Sequence, residues 1–452
     1  MKRHRQDMLS GPLLPSIISY TVPIILTGLL QLLFNAADLV VVGTKGEIYL
    51  SAVGATNAIT NLIVNLFIGL SVGAGVTMAH AMGCRDQEAI HRTVHTALPT
   101  AFIGGVILTV AGIALSETFL VWMDTPEKVL PYATLYMQIY FGGMVFNMIY
   151  NFGAALLRAA GDTRGPLVYL SIAGVANVVL NMIFVLVFGM TVDGVALATI
   201  ISQAISAMLV VLALMRRTDA ARLFLMKLHI YKPQILKIVR LGLPAGIQGS
   251  LFSISNVLIQ SSVNSFGEIF MAGNTAAGSI EGFVYVTMNA FHQTALNFTG
   301  QNMGAGQYRR VRKVLLICLS CVAFMGIAVG CGVYLLREPL LGIYIVDSPN
   351  AIQAIAAGAE RMLYVCLPYF LLGMMDVTTG VLRGLGSSLT PMIISVLGVC
   401  GFRIAWIYTI FANHHTPGTL FVSYPISWGL TFLLQLMAFF WIYRKRVARH
   451  PI

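Results

Sequence analysis

Long, nearly uninterrupted apolar stretches are the feature that most restricts how this chain can fold. Of its 452 residues, 57% are hydrophobic and only 10% are charged, whereas soluble domains carry about 25% charged residues. Each stretch has about 20–30 residues, enough for a helix to cross a hydrocarbon core ~30 Å thick. The sequence therefore predicts an all-α polytopic membrane protein with twelve transmembrane helices. The predicted spans are 14–43, 51–82, 93–122, 131–158, 165–189, 192–215, 235–266, 271–302, 311–336, 352–383, 389–412 and 419–443.

Basic residues are unevenly divided between the two sides that these spans define. Numbered from a cytoplasmic amino terminus, 23 of the 28 Lys and Arg residues fall on the cytoplasmic side. The outer side receives Lys45, Lys128, Arg337 and Arg361, and Arg403 is left inside the eleventh span. This excess follows the positive-inside rule. It predicts a multi-pass protein of the cell membrane with both termini in the cytoplasm, and it explains the basicity by anionic lipid, without a nucleic-acid partner.

The sequence repeats itself across its two halves. Pro23 and Asn35 have the spacing of Pro244 and Asn256, 221 residues later, and the motif LRxxGxxxxP at 157–166 recurs after 225 residues. Transporters are commonly built from such repeats, with the substrate pathway between them. We therefore predict two six-helix lobes in one orientation. The predicted domains are an amino-terminal lobe at 1–215, a cytoplasmic linker at 216–234, a carboxy-terminal lobe at 235–443 and a cytoplasmic tail at 444–452.

A glycine-rich segment lies within the second span. Its sequence is GLSVGAG, at residues 69–75, and small residues at such spacing let membrane helices approach closely. The segment predicts a close helix contact. No GxxxxGK[ST] phosphate loop occurs in the sequence, so an ATP-driven pump is not expected.

Several motifs together resemble the multidrug and toxic compound extrusion (MATE) family. They are QLLFNAADLVVVG, the two Met-Gly turns, the paired LRxxGxxxxP motifs and NVVLNMIFVLVFGMTVDGVALATIISQ. The resemblance covers nearly the whole chain. It implies two six-helix lobes in a V shape. It also implies an antiporter that exports amphipathic, often cationic small molecules against inward flow of H⁺ or Na⁺.

The resemblance also implies a coupling-ion site in the amino-terminal lobe. The acid of the family's first helix falls on Asp38, the Asn of its fifth on Asn177, and the Thr of its sixth on Thr199. The family often has a second acid where this chain has Asn181. Na⁺ at Asp38, Asn177 and Thr199 remains open, because hard cations accept neutral oxygens. A lone desolvated carboxylate suits a proton, which we favour.

Residue depth supports this cluster independently of the family. Asp38 is a carboxylate in an otherwise uncharged span, and such a residue indicates function by default because a charge in the bilayer is costly. At about 1.5 Å per residue, all four side chains fall in the outer half of the lobe. Asn177 and Asn181 also share a helix face through their i,i+4 spacing.

Other polar residues inside the spans are candidates for the substrate cavity, or alternatively for helix–helix hydrogen bonds. For the acids and the arginine, the alternative is a neutralised network of Glu281 or Asp376 with Arg403. The candidates are Asn35, Asn147, Asn151, Asn256, Glu281, Asp376 and Arg403.

The sequence also bears on two functions other than export. A flippase for a lipid-linked oligosaccharide shares the two-lobed plan but would need more cationic residues to hold a diphosphate, so it is the alternative. An enzyme is not expected, because no HExxH or GxSxG motif and no paired intramembrane His/Asp motif occurs. We expect a monomer in the lipid bilayer with no cofactor beyond the coupling ion.

The uneven charge distribution predicts the topology. A single cysteine at position 225, in a variant lacking the native cysteines, should resist a membrane-impermeant maleimide in intact cells and react after the cells are opened. Efficient labelling from outside would contradict both the topology and the parallel orientation of the two repeats.

Overall fold

The structure is a computed structural model that describes residues 6–345 and 350–449, without the side chains at 57, 58 and 449. Every regular element in this part of the chain is helical. Two helices are broken. One bends by 48° between Leu130–Gly142 and Met144–Ala159, and the other bends by 46° between Ala351–Tyr364 and Tyr369–Gly384. The twelve main helices are α1 (Leu13–Gly43), α2 (Glu47–Cys84), α3 (Gln87–Trp122), α4 (Leu130–Gly142 and Met144–Ala159), α5 (Arg164–Val187), α6 (Val192–Met215), α7 (Lys232–Asn264), α8 (Glu268–Gly304), α9 (Tyr308–Leu335), α10 (Ala351–Tyr364 and Tyr369–Gly384), α11 (Leu389–Phe411) and α12 (Pro417–Arg449).

The twelve predicted spans correspond to these twelve helices, which confirms the predicted fold class. Nine are long and apolar enough to cross a membrane by length and composition, and α4 and α10 bring the number to eleven when each is one bent span. The twelfth is α8, a continuous helix of 37 residues. It is less apolar because it buries polar side chains such as Asn274, His292 and Asn302. At its end α12 continues helically to Arg449, into the predicted tail at 444–452, of which 450–452 lie outside the described residues.

The helices form two compact units whose boundaries differ from the predicted lobes. Unit 1 contains Met1–Asp7 and Val22–Ser250, and unit 2 contains Met8–Thr21 and Leu251–Ile452. The start of α1 therefore packs within unit 2, where Tyr20 meets Phe298 edge to face with ring centroids 5.4 Å apart. The start of α7 packs within unit 1. Sequence repeats could not show this, because they locate the duplicated segments and not the surfaces that these segments bury.

The linker is also part of unit 1, because its backbone is bonded to α3. Phe224 N donates to His95 Nε2 at 3.1 Å, and Tyr231 N donates to Thr96 Oγ1 at 3.1 Å. The linker is therefore fastened to the amino-terminal third of α3 and is not a free tether.

Glycines bring α2 and α7 into backbone contact inside unit 1. A Cβ added at Gly69 would lie 2.1 Å from Gly246 N, and one added at Gly73 would lie 2.2 Å from Ile238 O. Gly242 faces the same seam, where its Cβ would lie 2.6 Å from Leu70 Cα. The predicted close helix contact of the GLSVGAG segment is confirmed. Only backbone atoms line these contacts, so the neighbours cannot move aside cheaply.

Glycine-to-alanine substitutions should have opposite effects on stability inside this helix contact and outside it. Gly73→Ala should destabilise the protein, because overpacking typically costs about 1–3 kcal/mol. Gly429→Ala, in α12 with nothing within 4 Å of the added methyl group, should be neutral or stabilising, because alanine is the better helix former by roughly 0.5–1 kcal/mol. Thermal unfolding of both purified variants checks this, and equal melting temperatures would contradict it.

Candidate functional site

Asp38 of α1 lies in a polar cluster inside unit 1. Its Oδ1 atom accepts a hydrogen bond from Asn181 Nδ2 at 2.5 Å, and its Oδ2 atom accepts one from Thr199 Oγ1 at 3.4 Å. Asn181 Nδ2 also donates to Asn177 Oδ1 at 3.3 Å. The structure thus brings together, from α1, α5 and α6, all four residues that the sequence assigned to a coupling-ion site.

Local packing of α1 against α5 positions this cluster. The ring of Phe34, one turn before Asp38, occupies the space beside Gly174, where an added Cβ would lie 1.8 Å from Phe34 Cε2. Gly174 thus lets α1 approach α5 closely, one turn before Asn177. Asn177 and Asn181 are both buried, with 3% and 0% exposure, so water does not replace their hydrogen bonds.

The cluster offers oxygens to a cation but turns one amide nitrogen toward the acid. Asp38, Asn177 and Thr199 supply a carboxylate, an amide oxygen and a hydroxyl oxygen, which hard cations accept. Asn181 presents Nδ2 to Asp38, and its buried Oδ1 has no hydrogen-bond partner among the described residues. The arrangement matches an ionised carboxylate held by neutral donors, and its chemistry suits either a proton or Na⁺.

Two tyrosines of α4 complete the surroundings of Asp38. Tyr136 and Tyr140 stack with ring centroids 6.0 Å apart, within electrostatic range of Asp38. The sequence analysis missed them. Their i,i+4 spacing places them on one helix face, but a tyrosine pair in an apolar span is equally typical of packing.

The asparagine candidates for the cavity divide into two groups. Asn151 Nδ2 donates to Asn147 Oδ1 at 2.8 Å and to Asn147 O at 2.9 Å, so this pair is bonded within α4. The repeat-related Asn35 and Asn256 are both exposed. Their assignment to a substrate cavity stays a prediction.

In unit 2, Glu281 pairs with Arg361, which the sequence analysis did not name as a candidate. Arg361 Nη2 lies 2.5 Å from Glu281 Oε2, and Arg361 Nη1 donates to Asn274 Oδ1 at 2.6 Å. Tyr369 Oη donates to Glu281 Oε1 at 3.3 Å. Arg361 lies within α10, inside the predicted span 352–383, and its side chain is 12% exposed. Its place on the outer side of the membrane stays a prediction.

Arg403 is held by aromatic rings and a hydroxyl group instead of an acid. Its guanidinium carbon lies 3.9 Å from the ring centroid of Tyr424 and 5.5 Å from that of Trp428. Its Nε donates to Ser427 Oγ at 3.0 Å. Within this network Glu281 therefore pairs directly with Arg361 and not with Arg403.

Asp376 lies in a separate polar group near the end of α10. Its backbone oxygen is 2.7 Å from His292 Nδ1, while His292 Nε2 is 3.5 Å from Arg383 Nη1. The charge of Arg383 also acts on the Asp376 carboxylate. The predicted network of Asp376 with Arg403 is therefore replaced by one with Arg383.

Comparisons with known proteins agree with this architecture. The family model described as MatE matches residues 23–183 and 244–409, more than half of the chain. The chain belongs to the MATE family. The "Probable multidrug resistance protein YoeA" of Bacillus subtilis is 25% identical over 95% of this chain and 94% of its own. The "Probable multidrug resistance protein YpnP" of the same organism is 26% identical over 97% and 96%.

A solved structure of an outward-facing multidrug resistance MATE family transporter has the same fold. It superimposes with a TM-score of 0.89 over 98% of both chains, at 21% identity. The two parts of the chain that match the MatE family begin at Pro23 and Pro244, the repeat positions found in the sequence. The protein is thus a multi-pass membrane transporter and not an enzyme.

Proposed function

We propose that this MATE protein is a secondary active antiporter that exports amphipathic, often cationic compounds across the cell membrane. The drug-resistance names of its relatives support export. The single observation that carries the coupling is the Asp38 carboxylate, which only neutral groups hold. Among the described residues no Lys, Arg or His nitrogen lies within 4 Å of it.

Such a carboxylate needs an exchangeable cation to neutralise its charge. A fixed ion pair would neutralise Asp38 permanently, but the amide of Asn181 and the hydroxyl of Thr199 leave its charge uncompensated. A charge among apolar helices is costly, so Asp38 favours taking up a cation from the side where that cation is more concentrated. Loss of the cation on the other side restores the charge and completes one coupled cycle.

The proton is the ion we propose. Asn181 supplies an amide where a second acid would strengthen a Na⁺ site, so Asp38 provides the single negative charge of the cluster. Protonated Asp38 would become a donor, and rotation of the Asn181 amide by half a turn would present Oδ1 to it. This rotation also gives the buried Asn181 Oδ1 a hydrogen-bond partner, and buried polar atoms usually have one.

Replacement of Asp38 should separate coupling from folding. In proteoliposomes, Asp38→Asn should reduce gradient-driven export of rhodamine 123 to the rate of protein-free vesicles, because an amide neither exchanges a proton nor balances Na⁺. Asp193→Asn is the matched control, since the Asp193 carboxylate lies in the first turn of α6 and accepts local bonds from Thr191 N at 2.9 Å and Thr191 Oγ1 at 3.2 Å. Wild-type export by Asp38→Asn at equal protein amount would return Asp38 to a structural role.

The choice of ion is tested by imposing one gradient at a time. Wild-type vesicles should export the dye under a pH gradient without Na⁺, and not under a Na⁺ gradient with pH equal on both sides. Asn181→Asp should add Na⁺ dependence, because it places a second carboxylate one helical turn from Asn177. Export by the wild type under the Na⁺ gradient alone would overturn proton coupling while leaving the exporter proposal intact.

The flippase alternative gains no support from unit 2. A lipid diphosphate would need several cationic groups without acidic partners, and of the two arginines beside the Tyr424 ring only Arg403 has no carboxylate oxygen within 4 Å among the described residues. Export of small molecules is therefore the function we retain.

A further inference from the structure

Unit 2 contains a buried cluster with an excess of positive charge. Arg361 and Glu281 neutralise each other at 2.5 Å. Arg403 is only 4% exposed, and no carboxylate oxygen of the described residues lies within 4 Å of its guanidinium group. Its neighbours Tyr424 and Ser427 are uncharged. Two cations and one anion therefore leave one positive charge uncompensated in this cluster.

The arginines of the cluster also have unused hydrogen-bond donors. Arg403 Nη2 and Arg361 Nε are both buried without an acceptor among the described residues. Leaving a donor of a charged group unpaired in the interior costs more than leaving a neutral one. Both guanidinium groups lie beside the Tyr424 ring, with the central carbon of Arg403 3.9 Å and that of Arg361 6.0 Å from its centroid, so the two arginines share one aromatic neighbour.

The backbone of α11 departs from regular α-helical geometry on both sides of Arg403. Arg403 lies in the five-residue α-helical segment Phe402–Trp406, between the π-helical segments Val396–Gly401 and Ile407–Phe411. In unit 1 a π-helical segment, Met182–Val187, directly follows Asn181 of the Asp38 cluster. π-Helical turns are rare and occur frequently at functional sites.

The sequence repeat also relates the surroundings of Arg403 to those of Asp38. The offset of 225 residues between the LRxxGxxxxP motifs carries Thr199 onto Tyr424 and the helices α5 and α6 onto α11 and α12. Each unit thus has one uncompensated charge beside its fifth and sixth repeat helices. The charge is negative at Asp38 in unit 1 and positive at Arg403 in unit 2.

We infer that Arg361 and Arg403 form a subsite for the carboxylate or phosphate group of an aromatic substrate. The inference rests on the proposed export function and assigns part of its substrate class, organic anions and zwitterions. Glu281 and Arg361, at 16% and 12% exposure, form the more accessible edge of the cluster, and Arg403 is 4% exposed. The substrate anion enters at this accessible edge and displaces the Glu281 carboxylate from Arg361. Its second oxygen takes the unused donor of Arg403.

Aromatic side chains give the subsite its preference for ring compounds. Trp428 is flanked by Tyr369 and Tyr424, with ring centroids 5.4 and 5.6 Å away. The faces and edges of these rings suit stacking with a planar substrate beside its acidic group. An arginine also stacks on aromatic rings while its N–H groups bind an anion.

Two dyes that differ in one group test the subsite. Rhodamine 110 carries a free carboxylate, and rhodamine 123 is its methyl ester with the same ring system. Fluorescence anisotropy with the purified full-length protein gives the affinity for each dye. Arg403→Gln should weaken binding of rhodamine 110 about tenfold or more, the usual effect of losing a hydrogen bond between charged groups, and change binding of rhodamine 123 little. Arg403→Lys, which keeps the charge but loses the planar fork, should fall between.

A second variant guards against misfolding as the cause. Glu281→Gln removes the internal competitor while keeping an oxygen for Arg361, so it should strengthen binding of rhodamine 110 and leave rhodamine 123 unchanged. A gain of affinity cannot arise from damaged protein. Arg383→Gln, outside the cluster, is the matched arginine control and should leave the ratio of the two affinities unchanged.

The outcomes separate this inference from the proposed function. Equal losses for both dyes in Arg403→Gln would mean that Arg403 only supports the fold, and unchanged rhodamine 110 affinity in Glu281→Gln would mean that Glu281 is not displaced. Either result would overturn the subsite. Failure of the wild type to export either dye under any gradient would instead overturn the export proposal, because the binding measurements need no gradient.

Discussion

The cost of placing a charge among apolar helices governs the polar clusters around Asp38 and around Glu281. A buried charge must be paired, hydrogen-bonded or neutralised. Asp38 is stabilised by an amide and a hydroxyl group, which reduce the cost without removing the charge. Glu281 is stabilised by a full ion pair with Arg361. The first arrangement leaves the acid without a countercharge among the described residues, and the second gives the acid one.

The two units therefore differ in electrostatics although they share a repeat. Unit 1 builds its cluster from one acid and small amides, whereas unit 2 uses arginines and large aromatic rings such as Tyr424. The two charges do not occupy repeat-related positions, because the offset of 221 carries Asp38 onto Ile259 and the offset of 225 relates Arg403 to Val178.

The sequence predicted those features that depend on local patterns. Apolar runs of spanning length located all twelve helices, the glycines at 69–75 indicated the contact with α7, and the isolated charge of Asp38 with the i,i+4 pair Asn177 and Asn181 indicated the cluster in unit 1. Pairings across the chain were not predictable. Arg361 meets Glu281 from 80 positions away, and nothing in a single sequence states which of several buried acids an arginine approaches.

The exchange of the first helices has a consequence for how the protein is assembled. Met8–Thr21 packs within unit 2, and the start of α7, up to Ser250, packs within unit 1. Each half of the duplication thus lends a segment to the other, as subunits do in a domain-swapped dimer. A half-length ancestor could have completed itself only with a second copy. Fusion of two such copies would then have made an existing mutual dependence permanent, leaving neither half able to fold by itself.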